Sequence, residues 1–181
     1  MAKQKNNKVV TNEVRLSYAN IWEPKSINGG AAKYSCSIII PKSDTETVEA
    51  INKAIEVALN EGTSKFGGKI PPRGALKMPL RDGDTERDDA AYRGCWFVNA
   101  NSTTPPQVVN EDMSFITNHS EIYSGVYAKV SITFYAFNSN GNRGVACGLG
   151  NIQKIRDGEP LGGRTSAVAD FATLADGDFL S

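Results

Sequence analysis

The sequence predicts a mainly β fold: an OB-fold-like five-stranded barrel with one helix after the second strand, long loops and a flexible acidic C-terminal tail. Three observations point there. Several segments alternate apolar and polar residues with the period of a strand. One segment only carries apolar residues at helical spacing, and it follows the second strand. Pro, Gly and Asn punctuate the rest. A β-sandwich with an added helix is the alternative architecture. A chain of 181 residues makes one ordinary domain with appendages. The expected division is a flexible basic N-terminus (1–8), the barrel (9–164) and the tail (165–181).

The elements follow in order. Val9 to Ser17 reads as a strand with Val10, Val14 and Leu16 on one face and Thr11, Glu13, Arg15 and Ser17 on the other. Trp22 to Gly30 reads as a turn-rich connection. Tyr34 to Ile40 is a second strand, with Tyr34, Cys36, Ile38 and Ile40 facing inward and Ser35, Ser37 and Ile39 outward. Ser43 and Glu46 have capping-box spacing, with Asp44 as a rival N-cap. The helix they open carries the stripe Val48, Ile51, Ile55 and Leu59, and Gly62 stops it. Gly62 to Arg81 holds Lys65, Lys69, Arg73, Lys77 and Arg81 with no acid. Gly67, Gly68, Pro71, Pro72, Gly74 and Pro79 break any helix there, so a basic irregular loop is expected. Cys95 to Asn101 is a third strand, and Gln107 to Val109 a short one. Tyr127 to Phe137 is the longest. Asn140-Gly141 makes a hairpin turn, and Val145 to Ile155 returns.

Composition excludes several function classes. Apolar residues make up 40% and charged residues 22%, which suits a globular chain. No apolar run reaches the ~18 residues of a membrane span, so no membrane partner is expected. Met1 to Lys8 lacks the apolar core of a secretory signal. Cys36, Cys95 and Cys147 lie far apart without a Cys-x-x-Cys pair, and are expected as reduced thiols in strands. His119, the one histidine, lies in a polar loop with no evident orienting partner. Neither a zinc site nor a cofactor is expected. No glycine-rich stretch has the spacing of a phosphate-binding loop. Asp82, Asp84, Glu86, Asp88 and Asp89 are expected to form a solvated turn. They are also the residues a metal-dependent nuclease would need, which is the enzymatic alternative.

The strand 127–137 carries the functional signal. Ala128, Val130, Ile132, Phe134 and Ala136 form an interior face. The other face holds Tyr127, Lys129, Ser131, Thr133, Tyr135 and Phe137. Aromatic residues beside a base on an exposed strand face suit stacking of single-stranded bases, worth about 1–3 kcal/mol per base. Packing of these rings beneath long loops would explain the pattern equally well. Gly148 and Gly150 on the returning strand leave room beside the aromatic row, for a ligand or for the rings themselves. Trp96, Tyr92 and Arg93 add stacking and phosphate contacts; Tyr34 and Lys33 are weaker candidates.

Four segments between about Lys8 and Arg164, VRLSYANIWEPKSINGG, YSCSIIIPKSD, PLRDGDTERDDAAYRGCWFVNANS and IYSGVYAKVSITFYAFNSNGNRGVACGLGNIQKIRDGEPLGGR, are far more specific than any short motif. On them the chain resembles the phage-encoded single-stranded DNA-binding proteins, a family long catalogued without a function. The resemblance implies an OB-like barrel that coats single-stranded DNA in phage replication or recombination, in the host cytoplasm, without catalysis. It transfers no contact residues. The candidate DNA contacts come from the faces above: Tyr127, Tyr135, Phe137, Trp96 and Tyr92 for stacking, and Lys129, Arg93, Arg143, Lys65, Lys69, Arg73, Lys77 and Arg81 for phosphates. In the tail, Phe171, Asp176, Asp178 and Phe179 are the candidate contacts to replication or recombination proteins. A homodimer is left open.

The 20 bases and 20 acids cancel only in sum. All the bases lie before Thr165, whereas Asp170, Asp176 and Asp178 sit in a tail that has none. A weakly basic body with an acidic tail fits a protein that binds DNA by stacking as much as by charge. The remaining alternative is a structural phage component whose β domain packs in an assembly.

Overall fold

The computed structural model describes residues 2–26, 29–139 and 141–161. Nine strands and one long helix follow in chain order: β1 (Lys3–Lys5), β2 (Lys8–Val10), β3 (Val14–Lys25), β4 (Lys33–Pro41), α1 (Thr45–Glu61), β5 (Arg81–Asp82), a short helix α2 (Gly83–Glu86), β6 (Cys95–Ser102), β7 (Val108–Val109), β8 (Tyr127–Ser139) and β9 (Asn142–Arg156). Strands β3, β4, β6, β9 and β8 close a five-membered ring, since β8 pairs with both β9 and β3. All ring pairings are antiparallel except β6 with β9, which touch in parallel at Asn101 and Gly148. This is the OB-type barrel expected from the sequence, with its helix after the second barrel strand.

The period-2 pattern explains the barrel. Ala128, Val130, Ile132, Phe134 and Ala136 all point inward and are buried. Cys36, Ile38 and Ile40 do the same on β4, and Val98 and Ala100 on β6. Helix α1 closes one end, packing on β8, β1 and β2. Its buried face is wider than the expected stripe. Thr47, Ala50, Ala54 and Ala58 join Ile51, Ile55 and Leu59, while Val48 is half-buried. Small alanines let the helix approach the sheet closely. The N-cap is Asp44 rather than Ser43: its carboxylate accepts hydrogen bonds from the Thr47 amide (3.2 Å) and hydroxyl (2.6 Å). Asn12 also donates to Asp44, which fixes the helix start to the β2–β3 connection.

Several expectations need correction. Residues 1–8 were expected to be flexible, but β1 and the first residue of β2 fall there, paired in the sheet. Val9 to Ser17 is two strands. Thr11 interrupts them, fully buried, with its hydroxyl accepting from the Val130 amide at 3.1 Å. Val9 rather than Val10 therefore faces the core. Trp22 is part of β3, not of a turn. Its ring stacks on His119 at 4.2 Å with 5° between planes, so His119 has an aromatic partner. Tyr34 is half-buried rather than core. Cys95 is half-buried, whereas Cys36 and Cys147 lie inside the barrel, where burial pushes the Cys36 thiol up to about 12.

The hairpin turn forms as expected, with Ser139 opposite Asn142 and Gly141 at φ +83°. The basic segment 62–81 is not an irregular loop. Two 3-10 turns, Thr63–Phe66 and Arg73–Ala75, seat the buried Phe66 and bring in the buried Leu76. Lys77 then pairs with Gly144 of β9, and Arg81 pairs with Phe97 of β6. The segment thus bridges the seam where β6 and β9 barely meet. The acidic turn is not simply solvated. Lys42 lies 2.8 Å from both Asp82 and Asp84, Glu86 pairs with Arg81, and Asp89 caps a short turn. Lys42 holds both aspartates below the ordinary carboxylate value. No cluster of His, Cys, Asp or Glu suited to a metal ion exists among the described residues. No helix among them is long and apolar enough to cross a membrane.

Candidate nucleic-acid interface

The outer face of β3, β4 and β6 forms an open groove of about 560 Å³, within the ~300–1,000 Å³ typical of ligand clefts. Small polar residues make its floor. Ser35 and Ser37 alternate with the core residues Cys36 and Ile38 on β4; Asn99 and Asn101 alternate with Val98 and Ala100 on β6. The strand register sets Ser35 opposite Asn101 and Ser37 opposite Asn99. Tyr18, Arg87, Lys25 and Lys33 form the walls. A second, smaller hollow of about 170 Å³ shares Asn99 and Asn101 and continues over the β6–β9 seam to Lys77, Arg81 and Phe137. Together the two stretches are lined by five bases and no carboxylate.

Tyr18 owes its position to a bulge. The β3–β4 register shifts between Ser17 and Asn20, and Tyr18 sits at φ +47°, 58% exposed. A bulky residue in that region carries strain, about 1–3 kcal/mol, that surrounding structure must hold in place. Here the bulge turns the ring out of the sheet into the groove.

The sequence-predicted contacts divide into groups. Lys77, Arg81 and Phe137 line the groove, and Arg143 adjoins it, its carbonyl accepting from the Lys77 amide at 2.8 Å. Tyr135 is 42% exposed, with its ring over Gly148, the neighbour of Asn101. The room beside Gly148 is thus partly taken by the aromatic row itself, and Gly150 is covered by Ser131. Lys69 and Arg93 are exposed and Lys129 is half-buried, all away from the groove lining.

The other candidates have structural partners. Tyr92 is fully buried, donating to Ser37 at 2.9 Å and packing edge-on against Phe97, so it cannot stack a base. Tyr127 lies at the far end of β8, with the Arg156 guanidinium 3.8 Å and that of Arg15 5.3 Å from its ring centre. Trp96 is half-buried under Lys42. Arg73 pairs with Glu56, and Lys65 donates to the Ala136 carbonyl. Phe171, Asp176, Asp178 and Phe179 lie outside the described residues.

Sequence reasoning missed Tyr18, Lys25, Arg87, Asn99 and Asn101. The alternation of Ser and Asn with core residues marked the floor as outward-facing. Nothing local marked the two strands as neighbours.

A family profile described as the Enterobacter phage Enc34 ssDNA-binding protein matches residues 7–180. The chain belongs to this family. A curated relative of this Enc34-family chain, p50 of Acyrthosiphon pisum secondary endosymbiont phage 1, is 32% identical over 178 residues, covering 93% of this chain and 94% of p50. Among solved structures, the single-stranded DNA-binding protein of bacteriophage Enc34 in complex with ssDNA superposes with a TM-score of 0.76 at 24% identity, over 89% of this chain and 97% of that one. The single-stranded DNA-binding protein gp2.5 of bacteriophage T7 superposes with a TM-score of 0.61 at 17% identity, over 94% of each chain. At these identities the superpositions show that the Enc34-family chain shares their fold.

Proposed function

We propose that the chain binds single-stranded DNA, largely without sequence preference, in the groove across β3, β4 and β6. The observation that carries the reading is the lining: five bases, exposed or half-exposed aromatic rings and no carboxylate, on the outer face of an OB-type barrel. Lys25, Lys33, Lys77 and Arg87 have no ion-pair partner among the described residues, while Lys42, Arg73, Lys154 and Arg156 all have one. Tyr18 and Phe137 stack bases, Tyr135 borders them, and Asn and Ser side chains accept either a base edge or water. Membership of the Enc34 family supports the same reading. The protein then coats DNA during phage replication or recombination in the host cytoplasm and acts as a binding module. Of the carboxylates that a nuclease would use, Asp82 and Asp84 are paired with Lys42 and Glu86 with Arg81.

A fluorescence titration with oligo-dT at two salt concentrations, with a duplex control, tests this. If all five groove cations meet phosphates, log K falls with log salt at a slope of about −3.5. Equal affinity for duplex, or no binding to oligo-dT, refutes the reading. Cleavage of the oligonucleotide in Mg²⁺ or Mn²⁺, lost in an Asp82/Asp84 double variant, would replace it with the enzymatic one.

A further inference from the structure

Arg87 follows α2 in extended conformation, and its guanidinium rests on three aromatic rings. The distances from its central carbon are 5.1 Å to Phe97, 5.2 Å to Tyr92 and 5.5 Å to Tyr18. The side chain is half-buried and lines the groove. Two of the rings are core: Phe97 is 1% and Tyr92 0% exposed. The third, Tyr18, is the bulged ring at the groove wall. Among the described residues no carboxylate and no hydrogen-bond acceptor engages the Arg87 guanidinium. The neighbouring Arg81 and Lys42 are both ion-paired, so acids were at hand in this segment and went elsewhere. A guanidinium stacked on rings keeps its edge donors available, and partial burial strengthens their attraction to an anion.

We propose that Arg87 and Tyr18 form a one-nucleotide subsite, in which Arg87 holds a backbone phosphate and Tyr18 stacks the adjoining base. The inference rests on the groove reading above and adds a division of labour within it. Arg87 is also a positioning residue for Tyr18, because its guanidinium lies over the bulged ring. The planar fork suits a phosphate presenting two oxygens, which a lysine ammonium does not match.

The test uses the full chain with R87Q, R87K and Y18A, checked by circular dichroism to be folded at the assay temperature. Each is titrated with oligo-dT over a range of salt, and with an abasic oligonucleotide that keeps the phosphodiester backbone. R87Q should bind more weakly and reduce the salt slope by about 0.7, one phosphate. R87K should keep the slope and bind less tightly. Y18A should keep the slope, lose about 5- to 150-fold on oligo-dT, and match the parent on the abasic strand. The double variant should lose less than the product of the single losses, since Arg87 acts partly through Tyr18. If R87Q does not fold, R87M, which fills the same apolar seat without charge, replaces it. A parent-like slope and affinity in R87Q or R87M overturns the phosphate assignment, and an equal Y18A loss on the abasic strand overturns the stacking one. Failure of the parent itself to bind oligo-dT instead sinks the groove reading.

Discussion

Substituting Gly144 tests whether the basic segment is held at the groove by the barrel. A Cβ at this position would overlap the backbone of Lys77, not a side chain that could swing away. Two hydrogen bonds depend on that approach: the Lys77 amide to the Arg143 carbonyl at 2.8 Å, and the Val145 amide to the Lys77 carbonyl at 3.0 Å. At about 0.5–1.5 kcal/mol each, their loss in G144A costs roughly 1–3 kcal/mol. Release of the whole segment would add burial of Leu76, worth about 1.5–3 kcal/mol. At roughly 2–4 °C per kcal/mol for a chain of this size, the two bonds alone lower Tm by about 2–12 °C. Lys77 and Arg81 would leave the seam together, so the salt slope of oligo-dT binding should shrink by up to about 1.4. Thermal melts followed by circular dichroism and salt-dependent titrations measure both. An unchanged Tm refutes the close approach. A lowered Tm with the parent's salt slope, measured where the variant is folded, refutes the placement of Lys77 and Arg81 on the DNA path.

Three further outcomes follow from particular contacts. Tyr92→Phe, which keeps the ring under Arg87, should cost about 0.5–1.5 kcal/mol of stability through the lost bond to Ser37 with no change in the salt slope, and Tyr92→Ala about 3–5 kcal/mol; urea denaturation checks both stability values. In the native protein a thiol reagent should modify Cys95 first and leave Cys36 and Cys147 until unfolding, because burial raises both inner thiols; equal rates at all three would contradict the barrel interior. Asp82 and Asp84 have pKa values held below the ordinary 3.8 by Lys42, so their stabilisation is complete above that value and fades as pH falls below it. Acid unfolding of a Lys42→Met variant should therefore show a shallower loss of stability below about pH 4 than the parent, and parallel acid limbs would count against the clamp.

Much of the barrel was legible because strand alternation is a local property. The face of β8 follows directly from residues such as Ile132, which lies between Ser131 and Thr133, whereas on β4 and β6 the alternation is broken by Ile39 and Phe97, buried with Tyr92 in a second small cluster. Departures occurred where a polar residue is buried for a specific partner. Thr11 is such a case, satisfied by Val130, and so is Ser37, satisfied by Tyr92. An alternation rule assigns both to solvent. The candidate site was harder to read. The aromatic row on β8 drew attention because the residues are large and adjacent, yet Tyr127 is taken up by Arg15 and Arg156. The groove floor of Ser and Asn has no comparable local signature.

By itself the sequence determined the barrel type, the place and cap region of its helix, the Asn-Gly hairpin and the family resemblance that the family match bears out. Each depends on neighbours along the chain, where hydrophobic period and turn chemistry act. Only the tertiary structure decided which outward faces adjoin. It brought Ser35 beside Asn101, carried Arg87 from an acidic turn onto Tyr18, and drew Lys77 and Arg81 across the β6–β9 seam. Those placements arise from long-range strand pairing and close backbone approach, and a groove is a property of the space between elements that are distant in sequence.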